Sequence, residues 1–169
     1  MPTIRRCIDI IDGFTERSGR ALAWVCLLLA VTTGLIVALR YGLGVGSVAL
    51  QECITYMHAL LFMMGAAFTL RRDGHVRVDI FYRRFTLRQQ AWVNAVGAVL
   101  FLLPFCLFVM AISADFVLEA WRIREGSPDP GGIHAVFLLK SLIPLMALSL
   151  LLQGIAELAR NALTLIDAG

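Results

Sequence analysis

Two ionisable side chains lie at or within long apolar stretches of the sequence, where they could form part of an ion or proton pathway. Glu52 directly precedes the apolar stretch 53–70, and Lys140 lies about two turns into the stretch 133–156. A charge at mid-bilayer costs about 2.5–3.5 kcal/mol even on the most lenient insertion scale, so each group needs a partner or access to the surface. The alternatives are an ion pair between them, contact of Lys140 with the outer headgroups, contact with a partner protein, or a transport site. A transport pathway would normally carry acids deeper in the helices, and the sequence has none there.

Histidines and cysteines are the other residues with haem, metal or redox chemistry. A haem ligand in a membrane helix needs a second axial ligand at similar depth, but His75 and His134 lie at or beyond the ends of apolar stretches. A packed, hydrogen-bonded His58 is therefore favoured over a haem ligand. A membrane thiol oxidase needs paired cysteines at the outer face. Only Cys53 is expected there, so the sequence predicts no enzyme; the remaining cysteines are Cys7, Cys26 and Cys106.

The elements that carry these residues are four apolar stretches, 21–39, 53–70, 91–114 and 133–156. The chain of 169 residues is 59% hydrophobic and 16% charged, whereas soluble domains are about 45–50% apolar and about 25% charged. About 20 apolar residues of helix cross a bilayer, so each stretch is predicted to form a transmembrane helix. The segments between them are too short to fold alone, which excludes a soluble catalytic domain. We therefore predict an all-α integral membrane protein in which residues 1–169 form one membrane domain.

The distribution of basic residues predicts the orientation of these helices. Short loops rich in Lys and Arg tend to stay in the cytoplasm. With a cytoplasmic N-terminus, all but four of the 15 Lys and Arg residues lie on the inner side, the outer four being Arg40, Arg122, Arg124 and Lys140. We therefore predict that both termini are cytoplasmic. Because the basic residues sort by membrane side and not along one face, the net charge of +3 does not indicate nucleic-acid binding.

Two further helical segments are predicted outside the apolar stretches. Ile4, Ile8 and Ile11 recur at helical spacing, which favours an amphipathic helix over residues 2–16 lying in the inner membrane interface. A frayed terminus is the alternative, since an isolated helix of this length is marginal. The third transmembrane helix has no strong breaker except Pro104, so it is predicted to project beyond the outer headgroups to about residue 124.

Small residues in the apolar stretches predict where helix backbones approach each other. Gly65, Ala66 and Ala67 form a surface for close approach on the second stretch. Gly34 on the first stretch and Gly97 on the third are further points of close approach. Small side chains permit close approach, and lipid provides no hydrophobic force that would bring helices together without it. These surfaces could serve the protein's own helices or a second membrane protein, and the composition does not distinguish the two.

Several short motifs are spread along the chain in a pattern typical of one group of membrane proteins. The most specific is the run from Asp73 to Asp79, which reads Asp-Gly-His-Val-Arg-Val-Asp and follows the second apolar stretch. The weaker ones are Gln51-Glu52, Gly65-Ala66-Ala67, Ser127-Pro128, Gly131-Gly132, Lys140 and Gln153-Gly154. Together they resemble the small membrane subunit of tripartite ATP-independent periplasmic (TRAP) transporters. Chain length and the four predicted spans also agree, so the resemblance covers nearly the whole chain.

The resemblance implies a transport system of three parts. A periplasmic binding protein captures an organic acid, a large membrane subunit carries it with the coupling ion, and the small subunit braces the large one and helps the binding protein to dock. This chain would then lie in the bacterial inner membrane, in contact with lipid, with no catalytic residue and no cofactor. Glu52 and Lys140 match polar positions near the outer side, and His75 and Asp79 match the inner motif in structural roles.

Within this interpretation, the end of the third helix is expected to contact the binding protein. The charged residues expected to make this contact are Glu119, Arg122 and Glu125. Replacing all three together is expected to weaken docking without unfolding the helices. Gly65 is expected to contact a neighbouring helix, so that a larger side chain there lowers the amount of assembled complex.

Two other functions remain compatible with the sequence. A self-sufficient, homo-oligomeric small transporter would use Glu52 and Lys140. A membrane anchor for a redox enzyme would bind haem through His58 and would show the absorption of haem when purified.

Overall fold

The computed structural model describes residues 2–76 and 79–167, which form helices and no strands. The helices are α1 (Pro2–Gly42), α2 (Val48–Arg71), the short α3 (Asp79–Tyr82), α4 (Leu87–Gly97), α5 (Leu103–Arg122) and α6 (Val136–Asp167), with a π-helical turn (Ala98–Leu102) that joins α4 to α5. Within the described residues, the helical stretches long and apolar enough to cross a membrane are Thr3–Gly42, Val48–Arg71, Leu87–Arg122 and Val136–Ile166. The predicted all-α chain with four long apolar helices is confirmed.

Side-chain caps and a glycine set where the helices begin. Ser47 caps α2, and its Oγ accepts a hydrogen bond from Leu50 N at 3.4 Å. Thr86 and Gln89 form a reciprocal capping box at the start of α4, with N···O distances of 3.3 and 2.9 Å. Gly44, in the turn between α1 and α2, has a φ of +68°, a conformation that glycine adopts without strain. The two caps satisfy N–H groups that a helix leaves free at its start.

The N-terminal segment differs from the prediction. Residues 2–16 are helical, but α1 continues without a break into the first apolar stretch and has 41 residues, or about 60 Å at 1.5 Å per residue. Ser18 does not interrupt it, because its Oγ donates to Thr15 O at 2.9 Å within the helix. Gly19 does not interrupt the helix either. The Phe68 ring of α2 packs into the space that a Cβ atom of residue 19 would occupy, and this contact holds the two helices together there. The predicted position on the membrane surface stays a prediction.

The third apolar helix departs from α-helical geometry next to Pro104. Proline has no N–H to donate back along the helix. The π-helical turn precedes it, and Leu103 N donates to Ala98 O five residues earlier. Such a turn lets the helix continue through Pro104 to Arg122, close to the predicted end at residue 124. Its projection beyond the membrane stays a prediction.

Helices α2 and α6 form the centre of the structure. α1 packs against both, and α4, the π-helical turn and α5 pack against α6. Ala67 of α2, Cys106 of α5 and Leu150 of α6 form a buried core cluster. The most apolar part of α1 contributes no buried residue to the structure. The outward faces of the long helices are therefore available to lipid or to a partner protein.

The two ends of the chain lie on the same side of the structure. Near the end of α6, Arg160 Nη2 is 2.7 Å from Oδ2 of Asp12, which is near the start of α1. An even number of crossings requires this arrangement. That this side is the cytoplasm stays a prediction from the basic residues.

Candidate functional site

The clearest polar site lies at the end of the structure opposite the chain termini. There the loop between α5 and α6 (the outer loop, residues 123–135) meets the start of α2. Glu52 Oε2 accepts a hydrogen bond from Ile133 N at 2.6 Å, and Glu52 Oε1 accepts one from Ser127 Oγ. Ser127 N in turn donates to Ile133 O at 3.1 Å. A carboxylate suits this position because it accepts at both oxygens. We call these three residues the Glu52 clamp.

Glycines allow the outer loop to come this close to α2. A Cβ atom at Gly132 would lie 2.6 Å from Glu52 Oε1 and would overlap the Ser127 side chain. A Cβ atom at Gly126 would lie 2.6 Å from an imidazole nitrogen of the same loop. Gly131 has a φ of +80°, which side chains rarely adopt. The glycine-rich sequence therefore produces a compact loop held in one position.

Lys140 pairs with Glu125 and not with Glu52. Its Nζ lies 2.6 Å from Glu125 Oε2 and 3.9 Å from the centre of the Phe116 ring. The alternative of an ion pair between Glu52 and Lys140 is therefore wrong. Glu52 is occupied by the outer loop, and the ammonium group is satisfied at the end of α5. Glu125 is likewise paired within the chain through Oε2, and its expected contact with a binding protein stays a prediction.

Aromatic side chains join the end of α5 to the start of α6. Trp121 Nε1 donates to Ser141 Oγ at 2.7 Å, and its ring meets that of Phe137 edge to face with centroids 4.7 Å apart. The guanidinium of Arg124 lies 5.9 Å from the Trp121 centroid and 5.7 Å from that of Phe137. Edge-to-face and cation–π contacts of this kind are attractive. The outer loop is thus fixed on its α5–α6 side as well as by the Glu52 clamp.

Two of the predicted contact residues remain exposed beside the outer loop. The side chains of Glu119 and Arg122 are 57% and 81% exposed, and their charged atoms lie 3.6 Å apart on one face of α5. Exposed pairs of this type contribute at most about 1 kcal/mol. Glu119 and Arg122 can therefore separate at little cost, and each can then bind an opposite charge on a partner protein.

At the opposite end, polar side chains join α1, α2 and α6. This inner network consists of Asp12, Thr15, Glu16, Arg71, Arg72, Gln153, Glu157 and Arg160. Gln153 is fully buried; its Oε1 accepts from Thr15 Oγ1 at 2.9 Å, and its Nε2 donates to Asp12 Oδ1 at 3.1 Å. Arg160 Nη2 donates to Asp12 Oδ2 at 2.7 Å, and Arg160 Nη1 donates to Glu157 Oε1 at 2.5 Å. Each buried polar group thereby has a partner on another helix or within α6.

The end of α2 completes the inner network. Arg71 Nε lies 3.6 Å from Asp12 Oδ1, Arg71 Nη1 pairs with Glu16, and Arg72 Nη2 lies 2.7 Å from Glu16 Oε1. Glu16 precedes the apolar stretch 21–39. Hydrogen bonds from Arg71 and Arg72 stabilise the ionised form of its carboxylate. The carboxylates and guanidinium groups of the network balance in charge.

The segment after α2 carries the predicted inner motif. His75 Nε2 lies 3.3 Å from Ala66 O, at hydrogen-bond distance to the last turns of α2. The structural role expected of His75 stays a prediction that this contact is compatible with. Residues 77–78 and the side chain of Asp79 lie outside the described residues, so the role expected of Asp79 stays a prediction.

Two residues within α2 lie differently from expectation. His58 is exposed and has no hydrogen-bond partner among the residues that the structure describes, so the expected packing of His58 does not occur against the described helices of this chain. A Cβ atom at Gly65 would meet nothing within 4 Å, so Gly65 makes no close contact between described helices. Close glycine contacts between helices occur instead at Gly19 and Gly154.

The cysteines and potential metal ligands are dispersed. All four cysteines are free, with Cys106 buried and Cys7 and Cys26 exposed. In the described ranges, no group of three or more His, Cys, Asp or Glu residues is arranged to hold a metal ion.

The inner network was not predicted from the sequence, although signals for it exist. Gln153 is an amide within an apolar helix, and such groups usually bond to a neighbouring helix. Asp12 and Glu16 lie one helical turn apart, and the next helix ends in the basic pair Arg71 and Arg72. Acidic residues on one helix and arginines at the end of the next, on the same membrane side, indicate a contact between the two helices.

Comparison with known proteins identifies the family. Residues 16–164 match the family described as "Tripartite ATP-independent periplasmic transporters, DctQ component". Curated proteins and solved structures gave no match. The matched range contains the Glu52 clamp and all of the inner network except Asp12 and Thr15. This family is a transporter component and not an enzyme family, and with the four apolar helices it places the chain in the inner membrane as a multi-pass protein. Because the match covers most of the chain, the protein belongs to the DctQ family, the small membrane subunits of tripartite ATP-independent periplasmic transporters.

Proposed function

We propose that this subunit is non-catalytic, braces the large transport subunit, and helps the periplasmic binding protein to dock during ion-coupled uptake of an organic acid. Family membership supports both partners. The observation that carries the docking role is the Glu52 clamp, which holds the outer loop against α2. A binding protein that docks repeatedly gains from a preformed surface, because ordering a loop at each encounter weakens binding.

Exposed charges beside the outer loop supply the docking contacts. Glu119 and Arg122 are exposed and weakly paired, so exchange for charges on a partner costs little. Complementary charges at the rim of an interface mainly raise the rate of association and select the partner. Glu125 has a different role in this proposal, because its ion pair with Lys140 shapes the loop from within.

The bracing role is supported by the way the long helices are tied at both ends. The inner network joins α1, α2 and α6 near the chain termini. The Glu52 clamp and the Trp121–Ser141 hydrogen bond join α2, α5 and α6 at the other end. Helices fixed at both ends keep their relative positions, as a support for a moving subunit must.

The docking role is tested with the reconstituted three-part transporter. A double variant, Glu119→Gln with Arg122→Gln, removes both exposed charges and leaves the Lys140–Glu125 pair intact. We expect binding-protein affinity to fall about two- to fivefold, in line with one or two exposed charge contacts. The matched control is Arg40→Gln, an exposed charge in the last turn of α1, which should leave affinity unchanged.

Two results would contradict the proposal. Unchanged docking in the double variant, with the complex intact, would remove the role of the α5 end. Transport by the purified chain alone in liposomes, abolished by Glu52→Gln, would show a self-sufficient transporter instead of a helper subunit.

A further inference from the structure

One exposed face of α2 is polar. From Gln51 onward, the exposed residues of α2 are Gln51, Thr55, His58 and Phe62. Their spacing of four, three and four residues places them on one stripe of the helix. Gly65 continues this stripe and has open space where a Cβ atom would lie. We call these five residues the α2 face.

The exposed faces of the neighbouring long helices differ from the α2 face. α1 exposes Trp24, Val31 and Leu35, and α5 exposes Phe108 and Ile112, so both are mainly apolar. Faces of that composition suit the hydrocarbon chains of lipids. The α2 face instead presents an amide, a hydroxyl and an imidazole, which hydrocarbon cannot satisfy.

Of the three polar side chains on the α2 face, one has a hydrogen bond within the described chain. Thr55 Oγ1 donates to Gln51 O at 3.5 Å within the helix. In the part of the chain that the structure describes, the side chains of Gln51 and His58 have no partner. His58 lies five residues into the apolar stretch 53–70, about 8 Å along the helix, beyond easy reach of water. Polar side chains at such depth normally face protein.

We infer that the α2 face packs against a transmembrane helix of the large membrane subunit. A polar side chain of that helix bonds to His58, and the two backbones come close at Gly65. The inference rests on the proposed function, because membership in a tripartite transporter family supplies the occupant. A second copy of this chain would pair His58 with itself and would leave to the large subunit the mainly apolar faces of α1 and α5, which carry little specificity.

Photo-crosslinking in the assembled transporter tests which molecule covers the α2 face. p-Benzoyl-phenylalanine in place of Phe62, a side chain 75% exposed, should crosslink to the large subunit on irradiation of native membranes. The same replacement at Phe108, which is 62% exposed on α5, is the control and should give no crosslink to that subunit. Crosslinking at position 62 to a second copy, or to no protein, would overturn the inference.

Substitutions test the two named contacts separately. Gly65→Leu should lower the large subunit that co-purifies at least tenfold, whereas Gly34→Leu should not, although both glycines have open space within the chain. His58→Leu should lower it several-fold, and His58→Gln, which keeps a hydrogen-bonding group, should restore part of it. Equal effects of the two glycine variants would overturn the inference.

These outcomes are distinguishable from failure of the proposed function. If the unmodified chain does not co-purify with a large membrane subunit, the proposed function fails and the inference with it. If the complex forms but position 62 does not crosslink to that subunit, only the assignment of the α2 face fails.

Discussion

Replacement of Gln153 by leucine tests the inner network at its most buried point. The Gln153 amide lies on α6 with no exposed surface, accepts from Thr15 at 2.9 Å and donates to Asp12 at 3.1 Å. Gln153→Leu keeps a similar volume, so no large cavity forms. It removes both hydrogen bonds that join α6 to α1 through this amide.

The magnitude follows from the two lost bonds to α1, since the third bond of the amide, 3.4 Å to Glu157 Oε1, lies within α6. Interhelical hydrogen bonds in membrane proteins average about 0.6 kcal/mol and reach about 1.7 kcal/mol, and a bond to a charged group contributes about 1.5–3 kcal/mol. Asp12 keeps its pairs with Arg160 and Arg71, so the substitution leaves no unpaired buried charge. We therefore expect the free energy of unfolding to fall by about 2 kcal/mol, roughly a 30-fold change in the unfolding equilibrium constant.

The assay is reversible unfolding of the purified chain in mixed micelles with increasing sodium dodecyl sulfate, followed by tryptophan fluorescence. Asn161→Leu is the matched control, since this amide is also on α6 but donates at 2.8 Å to the backbone of its own helix. Asn161→Leu should lower the free energy of unfolding by less than half as much as Gln153→Leu does. A double-mutant cycle with Thr15→Val isolates the Thr15–Gln153 bond and should give a coupling of about 0.6–1.7 kcal/mol. Equal destabilisation by the two leucine variants, or zero coupling, would refute the role assigned to Gln153.

Two further predictions concern the outer loop. Gly132→Ala should disturb the Glu52 clamp, because the added Cβ overlaps it, and limited proteolysis should cut the outer loop faster; Gly46→Ala, where the Cβ meets nothing within 4 Å, should not. Equal cleavage of the two variants would contradict the clamp. Trp121→Phe keeps the ring contact but loses the indole bond to Ser141, and should lower the free energy of unfolding by about 1 kcal/mol. Trp92→Phe, at an exposed indole, should change it by less than about 0.5 kcal/mol, and no difference between the tryptophan variants would show that the Ser141 bond contributes nothing.

Several features were predictable because they depend on local composition. Four apolar stretches of helix length predict four crossings, since a helix needs about 20 apolar residues to cross the bilayer whatever its position in the fold. The structure has four such helices. The run from Asp73 to Asp79 and the weaker motifs identified the family, which the match over residues 16–164 shows. The separation of residues 2–16 from the first span was predicted from isoleucine spacing alone, and the continuous α1 differs because no residue between them stops a helix.

The partners of individual side chains were decided by the tertiary structure. Sequence placed Glu52 and Lys140 on the same side of the membrane, but whether they meet depends on the rotation of α2 and α6 about their axes. In the structure each reaches a different part of the segment that follows α5, Glu52 through Ser127 and Lys140 through Glu125. That segment has no periodicity from which its path could be read.

The rotation of each helix about its axis also decides which glycines contact another helix. Gly65, Gly97 and Gly154 all lie in apolar stretches, yet of these three only Gly154 packs against another helix, and Gly19, between the polar residues Ser18 and Arg20, does so too. In a soluble helix the apolar stripe marks the buried side, whereas in a membrane helix the sides facing lipid and protein are both apolar. The sequence by itself therefore determined how many helices cross and to which family they belong. Only the packing of α1 and α5 against α2 and α6 decided which small, polar and charged residues meet.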